Sequence, residues 1–200
     1  TLFRFAALAE LDLRTVIDMR SDVERERHPC RRAPGFDALV VYARGDLVAG
    51  ESAPHLAAAQ PIAGAQTADA MTALQAHSRM TELYRQMPYR ADLVMVLTQY
   101  FAALAERDGA SLIHCLAGKD RTGLGVALLH ALIGVHASDI MADYLLTNSH
   151  ANVPGRSEAR AQLVRANMGV PMTEDAVQTI MTADAAFLDA AFDTIRADHG

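Results

Sequence analysis

Short apolar runs alternate with segments of helical periodicity along the chain, a pattern typical of α/β proteins. Runs rich in aliphatic and β-branched residues predict three buried strands, at 14–19, 36–42 and 111–115. Apolar residues at helical spacing predict two helices in the middle of the chain, at 68–87 and 89–106, with Pro88 ending the first. The charged stretch at 20–27 predicts a helical turn or a solvated connection, whereas 44–66, rich in glycine and proline, predicts irregular structure.

From residue 122 onward the chain has almost purely helical patterns. The segment 122–133 is apolar on nearly every side and predicts a central buried helix. Ser138 predicts the cap of a following helix, Thr173 predicts the start of another, and 183–197 predicts the last. The predicted fold class is therefore α/β, with a small, mostly parallel central sheet flanked by helices and a helical C-terminal part. A single domain over 1–200 is expected, because a chain of this length buries one substantial core.

Composition narrows the classes of partner. The formal net charge of −6 makes a general nucleic-acid-binding role unexpected. No apolar run reaches the roughly 18 residues of a membrane span, so no membrane insertion is expected. Two cysteines, Cys30 and Cys115, are too few for a disulfide framework, and they indicate a reducing compartment or a reactive thiol. We expect a cytoplasmic protein, with export as the alternative.

The segment from His114 to Gly123 carries the candidate chemistry, with the sequence His-Cys-Leu-Ala-Gly-Lys-Asp-Arg-Thr-Gly. It lies between a hydrophobic strand and a hydrophobic helix, which predicts a loop whose backbone N–H groups converge above the helix N-terminus. Such a loop binds a tetrahedral anion through its amides and the helix dipole, and the same field favours the thiolate of Cys115. Gly118 allows the loop backbone to approach the anion closely.

Five residues separate Cys115 from Arg121, a spacing that brings a thiolate and a guanidinium to the same anion. Arg121 can bind two non-bridging phosphate oxygens at once, which a lysine ammonium cannot do. Thr122 can donate a hydrogen bond to the thiolate or to a group in the loop. These residues predict phosphoryl transfer through a covalent cysteinyl-phosphate.

His-Cys, five residues and then Arg-Thr is the signature loop of the protein tyrosine phosphatase superfamily, and the loop of this chain resembles that of the bacterial tyrosine/lipid phosphatase branch. Three other segments resemble the same branch: the strand motif at 14–21 with Glu24, the helix at 80–84 and the segment at 143–148. The similarity covers about residues 11–150. An Asn-Phe-Arg-Asp-Leu-Gly-Gly stretch that usually begins members of this family is absent, so we expect a trimmed N-terminus.

The resemblance implies a role for each residue of the loop. Cys115 is the expected nucleophile, and Arg121 is the expected phosphate-binding residue. Asp120 matches the aspartate that serves this branch as general acid, and Lys119 matches a lysine associated with activity on phosphoinositides. Further substrate contacts are expected from Leu116, Ala117, Gly118 and Thr122.

The resemblance also implies the partners. These are phosphorylated proteins or phosphoinositides as substrates and inorganic phosphate as product, and no cofactor or metal is implied. Broad specificity is expected, over phosphotyrosine, phosphoserine or phosphothreonine, and phosphoinositides. The branch covers its site with a helical lid, for which 150–185 is the candidate region.

The loop residues also have structural interpretations. Asp120 can cap the helix that follows it, and Lys119 can be a solvated loop residue. His114 is expected to support the loop through a hydrogen bond rather than to act as an acid or base. The eight histidines have no metal-ligand spacing, so no metal site is predicted.

Residues before the loop have similar alternatives. Asp18, Arg20 and Glu24 are best explained as an ion-pair cluster at the end of a strand, although Arg20 is kept as a candidate substrate contact. Cys30 is expected to be incidental, and a protective disulfide with Cys115 is the alternative.

Three other functions stay open at this point. A phosphoinositide phosphatase would use the same chemistry on a lipid. A rhodanese-type sulfurtransferase also places a cysteine in a strand–helix loop, but that loop is one residue shorter. A non-catalytic phosphate-binding module is disfavoured because Cys115 and Arg121 are both present. A nucleotide-binding Gly-x4-Gly-Lys-Ser/Thr loop is excluded, because Asp120 follows Lys119.

Overall fold

The computed structural model describes residues 10–32, 35–43, 70–106, 109–150, 161–162, 164–165 and 170–200. Several predicted features lie outside these residues. They include the irregular segment at 44–66, and 151–160, 163 and 166–169 within the predicted lid.

A three-stranded, wholly parallel sheet has the strand order β2-β1-β3, formed by β1 (Leu13–Asp18), β2 (Leu39–Tyr42) and β3 (Ala110–His114). In the central strand, Val16 pairs with Val40 on one side and with Leu112 on the other. Asp18, the last residue of β1, lies opposite His114, the last residue of β3. The carboxyl ends of β1 and β3 therefore meet at the sheet edge where parallel α/β proteins place their ligands. The α/β class with a small parallel sheet is confirmed.

Seven α-helices lie within the described residues, and their bounds are α1 (Asp22–Arg27), α2 (Ala73–Gln86), α3 (Ala91–Glu106), α4 (Asp120–Leu132), α5 (Ala137–His150), α6 (Glu174–Met181) and α7 (Ala185–His199). A short 3-10 helix, Met87–Tyr89, follows α2. No helix in the described part of the chain is long and apolar enough to cross a membrane.

The chain divides into two compact units, of which the first comprises Thr1–Gly50 and Tyr89–Leu129 and contains the sheet. Within it, α3 packs on β1 and β2 through buried residues such as Leu93 and Val96. Helix α4 comes so close that a Cβ on Gly125 would lie 2.9 Å from Ile113 Cδ1 and 3.1 Å from Leu97 Cδ2. A glycine at this position thus permits the close approach of α4 to β3 and α3.

The second unit, Glu51–Pro88 and His130–Gly200, is mainly helical in its described residues, with one isolated β-bridge between Met71 and Met172. Helix α2 packs against both α6 and α7. The hydroxyls of Tyr84 and Tyr144 lie 2.9 Å apart in this core, and the Tyr84 ring is 5.6 Å from that of Phe187. Asn148 binds the backbone of Ala183 twice, with its amide nitrogen on the carbonyl and its amide oxygen on the N–H, each at 2.8 Å. The prediction of a single phosphatase domain stays a prediction.

Helix ends differ most from the sequence prediction. Helix α2 begins at Ala73 rather than at 68, because the Thr72 hydroxyl accepts the Gln75 N–H in a capping box. The prediction that Ser138 caps α5 is wrong. His136 takes that position, since its ring nitrogen Nδ1 accepts the N–H of Ser138 at 3.3 Å. Leu132, at the end of the helix predicted to be buried, is 70% exposed.

Candidate active site

The loop from Cys115 to Lys119 joins the end of β3 to the start of α4. Cys115, the first residue after the strand, is buried with 7% of its surface exposed. The backbone of Gly118 has φ +68°, a left-handed conformation that glycine adopts without strain. The Lys119 carbonyl accepts the N–H of Gly123 at 2.6 Å and so begins the hydrogen-bond ladder of α4. The helix therefore starts two residues earlier than predicted, and the loop is correspondingly tight.

Arg121, in the first turn of α4, is buried and held by three hydrogen bonds. It donates to the backbone oxygen of Met19 at 2.7 Å and to both carboxylate oxygens of Glu24, at 2.8 and 2.7 Å. Burial alone would lower the pKa of Arg121, but the hydrogen bonds that it donates to Glu24 and the charges of Cys115, Glu24 and Asp120 raise it overall. The guanidinium is thus fixed in one orientation and stays charged.

Glu24 is placed for this contact by the start of α1. Its side chain accepts the Ser21 N–H at 2.8 Å, and its own N–H binds the Ser21 hydroxyl at 3.3 Å. This capping box leaves the carboxylate facing Arg121. The expected ion-pair cluster is present, but sequence reasoning did not identify Arg121 as the partner of Glu24. The Ser-x-x-Glu spacing signals only the cap.

Lys119 and Asp120 are both buried, with 5% and 2% of their surfaces exposed. The Lys119 Nζ lies 3.1 Å from the Asp120 Oδ1. A solvated position for Lys119 is therefore wrong. Asp120 is the first residue of α4 rather than the residue before it, and an acidic side chain there interacts favourably with the helix dipole. An ammonium and a carboxylate thus lie next to each other at the helix start.

The remaining predicted contacts are distributed along the loop. Leu116 and Ala117 are half-buried and Gly118 is exposed, so this side of the loop is accessible. The Thr122 hydroxyl is buried without a hydrogen-bond partner among the described residues. The expected donation from Thr122 to the thiolate or to a loop group is not observed.

A second polar cluster lies behind the loop. Asp18 accepts three hydrogen bonds from Arg20, including 2.8 Å from Nε and 2.7 Å from Nη2. Burial would raise the pKa of Asp18, but the bonds from Arg20 and the proximity of His114 lower it overall. His114 Nδ1 lies 3.1 Å from the Cys115 carbonyl oxygen, the supporting contact expected for this residue. The exposed sulfur of Cys30 accepts a hydrogen bond from Arg20 at 2.9 Å, and both cysteines are free thiols.

The whole of this geometry belongs to the first compact unit. The loop and the first turn of α4 contain four groups: a buried thiol, a fixed guanidinium, an ammonium and a carboxylate. Such an arrangement offers a nucleophile, a proton donor and positive charge to a tetrahedral anion. A family model described as "Tyrosine phosphatase family" matches residues 4–200, which is nearly the whole chain.

The chain belongs to the tyrosine phosphatase family. It is 30% identical over 213 residues to the "Triple specificity protein phosphatase PtpB" of Mycobacterium tuberculosis, an alignment that covers 98% of this chain and 76% of that protein. It is also 34% identical over 195 residues to a Cupriavidus necator protein whose name places it among tyrosine-protein phosphatases, covering 96% of this chain and 64% of that protein.

A third relative is the "Tyrosine-protein phosphatase" of Nostoc commune, 43% identical over 58 residues, or 28% of this chain and 20% of that protein. The predicted family, its bacterial branch and the enzyme class are thus confirmed: this chain is a phosphatase of the protein tyrosine phosphatase type. Its substrates carry phosphate, and phosphate is a product. The family favours phosphate over the persulfide chemistry of a sulfurtransferase.

Proposed function

We propose that the protein hydrolyses phosphate monoesters through a cysteinyl-phosphate intermediate on Cys115. The observation that carries this proposal is the position of Arg121, which is buried in the first turn after the Cys115 loop and donates to Glu24 through Nη1 and Nη2. A cation held in this way is organised for phosphate before the substrate arrives, so little reorganisation is needed in the transition state.

The first step forms a sulfur–phosphorus bond and breaks the ester bond. The Cys115 thiolate attacks phosphorus while Asp120 donates a proton to the departing oxygen. Backbone N–H groups of Leu116, Ala117 and Gly118 bind the non-bridging oxygens together with Arg121. In the second step water attacks the phosphocysteine, Asp120 accepts a proton from it, and inorganic phosphate leaves as the thiolate is restored.

The ion pair between Lys119 and Asp120 has a role in these two reaction steps. A phosphate dianion entering the loop competes with Asp120 for the Lys119 ammonium, since both are anions within reach of the same cation. Substrate binding thereby releases Asp120 from its lysine partner, and the carboxyl group becomes able to carry the proton for the leaving group. The same exchange would place Lys119 on the substrate.

The test uses Cys115→Ser with Cys30→Ser as the matched control, because Cys30 is the other cysteine and is exposed. We expect Cys115→Ser to abolish turnover of p-nitrophenyl phosphate while inorganic phosphate still binds, and Cys30→Ser to retain wild-type turnover. Rapid quenching should trap phosphate on the wild-type protein and none on Cys115→Ser. Wild-type turnover by Cys115→Ser would overturn the mechanism.

A second candidate is hydrolysis of phosphoinositides, with broad specificity that includes phosphotyrosine and phosphoserine or phosphothreonine. Two observations favour it: Lys119 places an additional positive charge in the loop, and one relative is named as a triple-specificity phosphatase. A panel of phosphotyrosine peptides, phosphothreonine peptides and phosphoinositides distinguishes the substrates. Lys119→Ala should reduce phosphoinositide turnover more than p-nitrophenyl phosphate turnover, and equal losses would argue against a lipid substrate. Action in the cytoplasm and a helical lid at 150–185 stay predictions.

A further inference from the structure

Three side chains that are distant in sequence converge at the carboxyl edge of the sheet, on the side of β3 away from Gly125. One ligand atom from each of Asp18, Cys30 and His114 lies within 4.8 Å of the other two. In the described part of the chain, this is the only group of three metal-ligating side chains so close together. The three residues line a cavity of about 550 Å³, which gives solvent and small ions access to them.

The hydrogen bond made by His114 defines which ring nitrogen is available. The Cys115 carbonyl can only accept, so the contact at 3.1 Å means that His114 Nδ1 carries the proton. In the neutral ring Nε2 then has a free lone pair, and it lies 3.9 Å from the Asp18 Oδ1. When the ring is neutral, a cation between these two atoms can bind both of them. Metal-binding histidines commonly donate their other N–H to a backbone carbonyl in this way.

Arg20 holds the other two groups in place. Its Nη2 atom donates to the Asp18 Oδ2 at 2.7 Å and to the Cys30 Sγ at 2.9 Å. Cys30 binds metals as its thiolate, and the bond from Arg20 fixes the position of that sulfur. Hydrogen bonds of this kind surround the ligands in known metal sites and orient them. Arg20 also places a positive charge next to the site, so the expected affinity is lower than in a site with two unneutralised anions.

We propose that Asp18, Cys30 and His114 bind a transition-metal ion of borderline softness, with Zn²⁺ as the best fit. One sulfur, one imidazole nitrogen and one carboxylate oxygen suit Zn²⁺, whereas Mg²⁺ and Ca²⁺ take oxygen ligands. Bond lengths of about 2.0–2.3 Å place neighbouring ligands about 3.3–3.8 Å apart in a tetrahedral zinc site. His114 and Asp18 are nearly at this separation already, and Cys30, in an exposed segment, moves in to complete it. Water from the cavity takes the fourth position.

The test uses Co²⁺ as a spectroscopic substitute for Zn²⁺, with untagged protein carrying Cys115→Ser so that Cys30 is the only thiol. Cobalt bound to a thiolate gives a charge-transfer band in the near ultraviolet and intense visible bands when it is tetrahedral. We expect one equivalent of Co²⁺ to produce both, and Zn²⁺ to displace it. The double variant with Cys30→Ser should lose the charge-transfer band.

A further variant tests the histidine without disturbing the loop. His114→Asn retains an N–H near the position of Nδ1 for the Cys115 carbonyl but lacks Nε2. In the Cys115→Ser background it should bind Co²⁺ at least about tenfold more weakly. Absence of the charge-transfer band in Cys115→Ser, or its survival in the double variant, would refute the site. Because Cys115 is removed throughout, neither result depends on the phosphatase proposal.

Discussion

Glu24 and Arg121 form a bidentate ion pair in which two carboxylate oxygens bind two guanidinium nitrogens, at 2.7 and 2.8 Å, with only 7% of each side chain exposed. The pair joins α1 to the first turn of α4, across 97 residues of sequence. Removal of one partner from a buried pair leaves the other charge unpaired, which typically costs about 3–5 kcal/mol. The pair therefore fixes the orientation of the Arg121 guanidinium, the proposed phosphate ligand, and loss of either partner destabilises the fold.

Glu24→Gln should reduce turnover in a protein that still folds. The amide retains the shape of the side chain but loses one acceptor oxygen and the charge, so Arg121 is less firmly oriented. We expect kcat/KM for p-nitrophenyl phosphate to fall about 100-fold, the effect of a small misplacement of a binding group. Glu26→Gln, on the exposed face of the same helix, should retain wild-type kinetics. Equal kinetics in the two variants, with circular dichroism showing both folded, would contradict a positioning role for Glu24.

Asp120→Asn separates proton donation from stabilisation of the helix start. If Asp120 protonates the leaving group, the variant should lose about 100-fold or more in kcat on an alkyl phosphate and much less on p-nitrophenyl phosphate, whose leaving group needs no proton. Asp139→Asn removes an acidic residue from the first turn of α5 and serves as the control, with no expected change in kcat. Equal losses on both substrates in Asp120→Asn would indicate that the carboxylate only stabilises the helix.

The buried side chain of Tyr100 should make the fold lose stability at alkaline pH. Burial of this side chain in α3 raises the pKa of its hydroxyl above 10.0, since ionisation would place a charge in the core. The contribution of Tyr100 to the free energy of unfolding is therefore complete below about pH 10 and declines as the pH rises toward the folded-state pKa. Urea unfolding between about pH 8 and pH 11 should show a steeper decline for wild type than for Tyr100→Phe.

Tyr89, which is 44% exposed, provides the control for this measurement. Tyr89→Phe should change the dependence on pH less than Tyr100→Phe does, because folding buries much less of Tyr89 than of Tyr100. Parallel curves for wild type and Tyr100→Phe would show that another group dominates alkaline unfolding.

Gly125→Val tests the close approach of α4 to the sheet. Even a Cβ at this position meets Ile113 and Leu97, and the two methyl groups of valine require both neighbours and the helix to shift. We expect a loss of about 2–3 kcal/mol in the free energy of unfolding, as for other overpacked cores. Ala131→Val adds the same side chain at an exposed position of the same helix and should cost less than about 1 kcal/mol. Similar losses in both variants would mean that the contact at Gly125 is not limiting.

The strands and most helices were predictable because their apolar residues recur with the period of the element. The boundaries were less so, because they depend on which side chain accepts the first backbone N–H groups. Thr72 shortens α2 at its start, and His136 takes the position predicted for Ser138. The strand predicted at 36–42 is ordered as a strand only from Leu39, where pairing with Thr15 begins.

The residues of the candidate site also differ in how far the sequence predicts their contacts. Cys115 and Arg121 are only six positions apart in the sequence, so a local motif was enough to predict both. Their supports are not local: Glu24 comes from the helix after β1, and Asp18 meets His114 only because β1 and β3 are adjacent in the sheet. Strand order depends on the whole fold. Residues 18, 30 and 114 are far apart in the sequence, so the sequence alone does not predict that they lie together.

The burial of Lys119 also bears on how the protein can be observed. The sequence contains 18 basic residues, of which 17 are arginines, so Lys119 supplies its single ε-amino group. That group is 5% exposed and lies in the loop between Cys115 and Arg121. Reagents directed at lysine, and acetylation in a cell, therefore address one side chain in this sequence and reach it only when the loop opens. The rate of lysine labelling should therefore measure how often the loop opens in the native protein.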